Sequence, residues 1–158
     1  MVHKEMISLG KMAEELGDQE EVAYWQRKSD HLNHLINTRM WDEETGFYYH
    51  TDMDNYEFYF MGSSLRRKEI IGFLPMWAKA TTQQKAERLL EHLTDPDKFW
   101  RQYGIPTLSA ADPRYSPDVD YCCKWNGPVW LQWSYMVIHG LWEYGFDELA
   151  VEATNIMV

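Results

Sequence analysis

Val129-Trp130-Leu131-Gln132-Trp133-Ser134-Tyr135-Met136-Val137-Ile138-His139-Gly140-Leu141-Trp142 is apolar around nearly its whole circumference when wound as a helix. Such a helix is expected to be buried on most sides. Asn126-Gly127-Pro128 precedes it as a start signal, because proline tolerates the first turn. Gly145 ends it, and Phe146 to Val158 reads as its partner. The N-terminal region repeats the scheme. Met6, Leu9, Ala13 and Leu16 recur at helical spacing, Gly17 breaks the pattern, and Asp18 caps a second stripe of Val22, Trp25, Ser29, Leu32 and Ile36. The joints Leu16-Gly17-Asp18 and Tyr144-Gly145-Phe146-Asp147 are alike, a weak repeat of the kind stacked helical hairpins produce.

Between these pairs the period changes. Thr45-Gly46 is a turn signal, Phe47 to His50 reads as a short strand, and Tyr56 to Met61 as a second that completes one β-hairpin. A further helical pair runs from Ile70 to Lys79, with Pro75 in its first turns, and then from a Thr81-Thr82 cap through Ala86, Leu89, Leu90 and Leu93. Asp95 to Lys124 is a long loop with four prolines, and loops of that length are more often functional than decorative. The expected fold is all-α: antiparallel helical hairpins in one domain over residues 1–158, with a small β-hairpin.

Composition excludes several functions. A formal net charge of −10 repels phosphate backbones, so a nucleic-acid partner is not expected. No apolar run reaches bilayer length and the N-terminus lacks signal-peptide architecture, which gives a soluble, cytoplasmic expectation without a membrane partner. Cys122 and Cys123, the only cysteines, are adjacent and unsuited to bridging each other. No dinucleotide, phosphate-loop or nucleophile-elbow motif is present, so no cofactor is expected. Asp52 to Glu57 starts like a calcium loop but has Glu57 at the glycine position and Ser63 at the closing glutamate, so it reads as a hairpin turn. His31 and His34 lack a third ligand and read as an exposed face; no metal is expected. His139, on the apolar helix, reads as a hydrogen-bonded core residue.

The 15% aromatic content and the stretch Tyr103 to Trp130 point elsewhere. Aromatic faces cover the C–H surfaces of a sugar ring, while Asn, Ser and backbone groups take its hydroxyls. Glycoside hydrolysis also needs two facing carboxylates. Asp112, Asp118 and Asp120 in the long loop and Asp42, Glu43 and Glu44 near the hairpin are candidates, but their spacing singles out no pair.

Met40-Trp41-Asp42 with Thr45-Gly46-Phe47-Tyr48-Tyr49, then Gly72-Phe73-Leu74-Pro75-Met76-Trp77-Ala78, form the first part of an ordered motif series. Gly104-Ile105-Pro106-Thr107-Leu108-Ser109, Trp125-Asn126-Gly127-Pro128-Val129-Trp130 and Gly140-Leu141 with Tyr144-Gly145 complete it. The series resembles the six-hairpin (α/α)6-barrel glycosidases, closest to glycoside hydrolase family 63 and its bacterial mannosylglycerate and glucosylglycerate hydrolases, with trehalases more distant. The resemblance implies part of an (α/α)6 toroid, roughly the C-terminal half, from an enzyme that inverts α-linked glucosides or mannosides. It implies that Trp125 and Trp130 contact the sugar, with Tyr103, Phe73 and Trp77 beside them, and it assigns no catalytic residue. The family's acid and base fall before and after the matched motifs, and Lys124-Trp125-Asn126-Gly127 replaces the usual Tyr-Trp-Arg-Gly. Half a toroid leaves hairpin edges unpaired, so a homodimer or larger assembly is expected. A helical-repeat interaction module and an α/α-barrel sugar epimerase are the alternatives, the latter needing several histidines in one cleft.

Overall fold

The computed structural model describes residues 1–118 and 124–157; Asp120, Cys122 and Cys123 lie outside them. It is mostly helical. Helices α1 (Val2–Glu15) and α2 (Gln19–Leu35) form the first hairpin, α3 (Leu74–Trp77) and α4 (Gln83–Leu93) the second, and α5 (Leu131–Glu143) and α6 (Asp147–Met157) the third. α2 runs into a π turn over Ile36–Met40, and a 3-10 turn over Ile70–Phe73 leads into α3.

One local device ends the first helix of each pair. After α1, Gly17 N–H bonds Glu14 O and Asp18 N–H bonds Ala13 O. After α5, Gly145 and Phe146 repeat this with Trp142 O and Leu141 O. Both glycines have a φ of +75°, which a side chain would strain. The α3 end has the same bonds, Lys79 N–H to Met76 O and Ala80 N–H to Pro75 O, with Lys79 in the left-handed region at φ 53°. Its ammonium is paired with Glu143 at 2.5 Å, which ties this joint to the end of α5. Both expected helix caps form: Asp18 accepts from Glu21 N–H and Thr82 from Lys85 N–H.

The strands differ from expectation. There are two hairpins: β1 (Trp41–Asp42) pairs with β2 (Phe47–Tyr48), and β3 (Tyr59–Phe60) with β4 (Ser63–Ser64). Phe47 therefore belongs to a tight hairpin around Thr45-Gly46, and the strand at Tyr59 finds its partner four residues later. The Asp52 carboxylate accepts the backbone N–H groups of Asp54 and Asn55, so it closes a turn.

Phe47, Phe73 and Phe99 form the centre of the core, with no exposed surface. Their rings meet edge-to-face at 5.2 and 4.9 Å through Phe73. Such pairs add about 1 kcal/mol each beyond their buried area. α5 packs on α3 with Val137, Ile138 and Leu141 inward, and Gly140 faces the Trp77 backbone. The helix departs from expectation at two points. It begins at Leu131, because Val129 is held in a β-bridge with Pro106. It is also not buried on most sides: Leu131, Tyr135 and Trp142 remain 65, 59 and 44% exposed.

Candidate functional site

The long loop is anchored by the buried strap Gly104 to Ser109. On one side the strap exchanges bonds with the segment before α3, Ile70 N–H to Thr107 O and Ser109 N–H to Lys68 O. On the other, Thr107 N–H bonds Pro128 O. The Thr107 hydroxyl donates to Pro128 O and accepts from Gly127 N–H, so one buried threonine fixes the Trp125–Pro128 turn. Gly127 has no room for a side chain there: a Cβ would lie 2.5 Å from Ser116 O.

That turn presents an aromatic cluster. Trp125 and Trp130 stack with centroids 4.3 Å apart and planes inclined by 22°, and Trp133 meets Trp125 edge-on at 6.1 Å. Trp125 remains 50% exposed. Trp130 is oriented by its indole N–H, which donates to Lys124 O at 3.1 Å. Lys124 is buried, and its ammonium donates to Ser116 Oγ and to Asp118 O. The sequence reading missed Trp133 as a site residue. Its three-residue offset from Trp130 at the start of α5 was the available signal.

The other expected site residues separate. Tyr103 is 77% exposed in a turn closed by the Arg101–Gly104 bridge, and its neighbour Gly104 lies against Val129, close in chain to Trp130. Phe73 is a core ring with no surface to offer a ligand, because its motif turns inward against Phe47 and Phe99. Trp77 sits under the Lys4 ammonium at 4.4 Å, next to Gly140. Ten residues of α5 separate Gly140 from Trp130, roughly 15 Å along the axis. Trp77 therefore belongs to the opposite end of α5. Asn126 does not offer its amide N–H groups freely to hydroxyls either, since Nδ2 donates to Arg114 O at 2.7 Å.

Three of the candidate carboxylates, Asp112, Asp42 and Glu43, are engaged. Arg114 grips Asp112 through two bonds of 2.8 and 2.7 Å and holds its carboxyl below the usual range. Burial works against the charge on Asp42, but the Thr45 hydroxyl and the Arg66 guanidinium outweigh it and lower its proton affinity. The Trp41 indole N–H, with Arg88, does the same for Glu43. Glu44 and Asp118 are exposed. His139 is not a hydrogen-bonded core residue: it lies half-buried between Tyr135 and Trp142, at 4.3 and 5.1 Å. His31 and His34 are exposed, as expected.

A profile of the mannosylglycerate hydrolase MGH1-like glycoside hydrolase domain matches residues 1–158. The chain belongs to this family. The mannosylglycerate hydrolase of Thermus thermophilus is 32% identical over 111 residues, covering 70% of this chain and 24% of that protein. The GH63 mannosylglycerate hydrolase from Thermus thermophilus, solved in complex with glucose, superposes with a TM-score of 0.77 at 25% identity over 97% of this chain and 33% of that one. Neutral trehalase from Saccharomyces cerevisiae shares the fold at a TM-score of 0.77 and 17% identity, covering 99% of this chain and 29% of that one. The chain thus spans a minor part of each relative's length, and its likeness to them places its helical hairpins in an α/α-barrel fold.

Proposed function

We propose that this chain supplies the sugar-binding wall of a glycoside hydrolase that inverts α-linked glucosides or mannosides in the complete enzyme. The carrying observation is the half-exposed Trp125 ring stacked on Trp130, on a turn fixed by Thr107. A flat apolar face beside backbone polar groups suits the C–H face and hydroxyls of a pyranose. The interaction-module reading calls for a polar, ungrooved face and gives no reason for a half-exposed indole stacked on a second one. The epimerase reading calls for histidines at the sugar, and no histidine is among the ring partners of Trp125 or Trp130 among the described residues. No described helix is long and apolar enough to cross a membrane, and a cytoplasmic enzyme without a nucleic-acid partner completes the proposal.

Saturation-transfer NMR with methyl α-glucoside and methyl α-mannoside tests the site. Trp125→Ala is expected to weaken sugar binding about fivefold or more, since one aromatic contact is worth about 1 kcal/mol. Trp142→Ala, which removes an exposed indole elsewhere, is expected to leave it unchanged. Equal effects of the two substitutions would overturn the assignment.

The proposal includes self-association. Leu131, Tyr135 and Trp142 form an exposed apolar face on α5 that no described element of this chain covers. A two-fold dimer closing that face is expected to bury on the order of 2,000 Å² in total. Sedimentation equilibrium of the 158-residue chain at micromolar concentration is expected to give a dimer or larger species, reduced to monomer by Tyr135→Glu. A stable wild-type monomer would refute it.

A further inference from the structure

A cavity of about 300 Å³ lies away from the tryptophans, between the start of α1, the C-terminal half of α2 and the segment around α3. Leu32, Ile36, Ile71 and Leu74 are among its apolar walls. Tyr48 and Tyr49 add ring surface, and their hydroxyls are already bonded, Tyr48 to Asn37 and Thr81 and Tyr49 to Thr45. On one side the lining turns polar, with His50, Arg67 and Glu69.

Arg67 is the unusual member. Several charges around it are matched: Arg66 bonds Asp42, Arg114 bonds Asp112, and His50 bonds Glu69. Arg67 makes neither an ion pair nor a side-chain hydrogen bond among the described residues, and its Nε is shielded from solvent without a partner. A guanidinium cannot shed its proton, so a partly buried one whose Nε lacks a partner is a standing cost, eased only at a distance by Asp112. An anion relieves both the missing hydrogen bond and the charge, and a planar carboxylate matches the guanidinium fork best. Apart from the Met1 N-terminus and His3, whose Nδ1 is bonded to Ala78 O, the remaining walls are aliphatic and aromatic and ask for an apolar body behind that carboxylate.

We propose that this cavity binds a small monocarboxylate with an aliphatic body, Arg67 taking the carboxylate and the walls of α2 and α3 taking the hydrocarbon. The site is separate from the sugar wall, since neither Trp125 nor Trp130 lines it. The lone carboxylate in its lining among the described residues, Glu69, is held by His50 at 3.3 Å and repels rather than attracts such a ligand.

The test is calorimetric titration of the full chain with 4-methylpentanoate, its isosteric amide 4-methylpentanamide, and acetate. Saturable binding of the acid is expected, with the amide and acetate each weaker by about tenfold or more, because one loses the charge-assisted bonds and the other the apolar contact. Arg67→Gln is expected to weaken the acid about tenfold, whereas Glu69→Gln is expected to tighten it by removing a like charge. Opposite signs from two substitutions at one rim cannot arise from general loosening, and Trp125→Ala is expected to change neither. Equal affinity for acid and amide, an unaffected Arg67→Gln variant, or no saturable binding of the acid would each overturn the proposal.

Discussion

Replacing Gly72 with valine is expected to cost about 3 kcal/mol, the upper end of the usual penalty for overpacking a core. A Cβ at Gly72 would lie 2.3 Å from Phe47 Cε1, 2.6 Å from Phe47 Cζ and 2.8 Å from Tyr48 O. Two of these contacts are with a ring that has no exposed surface, and the third is backbone of a paired strand. Phe47 cannot retreat without displacing Phe73 or Phe99, which it meets at 5.2 and 6.3 Å. In a chain of this size the loss corresponds to a fall in melting temperature of about 10 °C. Urea titration checks it, with Gly62→Ala as comparison. Gly62 faces open space and carries only the strain of its φ of +81°, so about 1 kcal/mol is expected there. A midpoint for Gly72→Val no lower than that of Gly62→Ala would show that the Phe47 ring yields easily.

The same glycine shows where sequence reading runs out. Gly17 and Gly145 were legible as helix ends because a left-handed residue leaves a compositional mark. The equivalent joint at Lys79 left none, since lysine in that conformation is held by tertiary bonds, including its pair with Glu143. Gly72 carries no positive φ; its requirement is the approach of the Phe47 ring, which only the packed fold creates. The strand pairing failed for a related reason. Trp41–Asp42 is two residues long, too short to show alternation, so its claim on Phe47–Tyr48 was invisible.

The aromatic cluster of the candidate site was legible at its centre and not at its edges. Trp125 and Trp130 sit five residues apart across a Gly-Pro turn, close enough for local geometry to bring them together. Phe73 and Trp77 were grouped with them through motif resemblance, and motif order does not say which face of the chain an aromatic side chain takes. Phe73 turned into the core and Trp77 to the far end of α5. An exposed apolar patch was expected from the unpaired hairpin edges, but pattern reading did not say which residues of α5 form it, because a helix apolar all round reads the same whether its neighbours lie in the same chain or not.

Purified alone, the 158-residue chain is expected to hydrolyse aryl α-glucosides, aryl α-mannosides and trehalose no faster than background. Inversion needs one carboxyl kept protonated as acid and a second kept ionised as base, about 6.5–9.5 Å apart across the sugar. A protonated acid near neutral pH requires an environment that raises its proton affinity. The described carboxylates with shifted proton affinity all move the other way. Arg114 lowers Asp112, Thr45 and Arg66 overcome burial at Asp42, Trp41 and Arg88 lower Glu43, Lys98 lowers Asp95, and Lys79 lowers Glu143. Such groups serve as ion-pair partners and not as acids. Groups that act together in turnover lose orders of magnitude when one is missing, so a stacked indole pair without its acid leaves binding and no useful rate. The assay includes Asp118→Asn and Asp120→Asn, two aspartates of the loop that leads into Trp125. Both are expected to match the unsubstituted chain. Turnover well above background that either substitution abolishes would place a catalytic carboxylate in the loop beside Trp125, and the sugar wall would then be part of an active site complete within these residues.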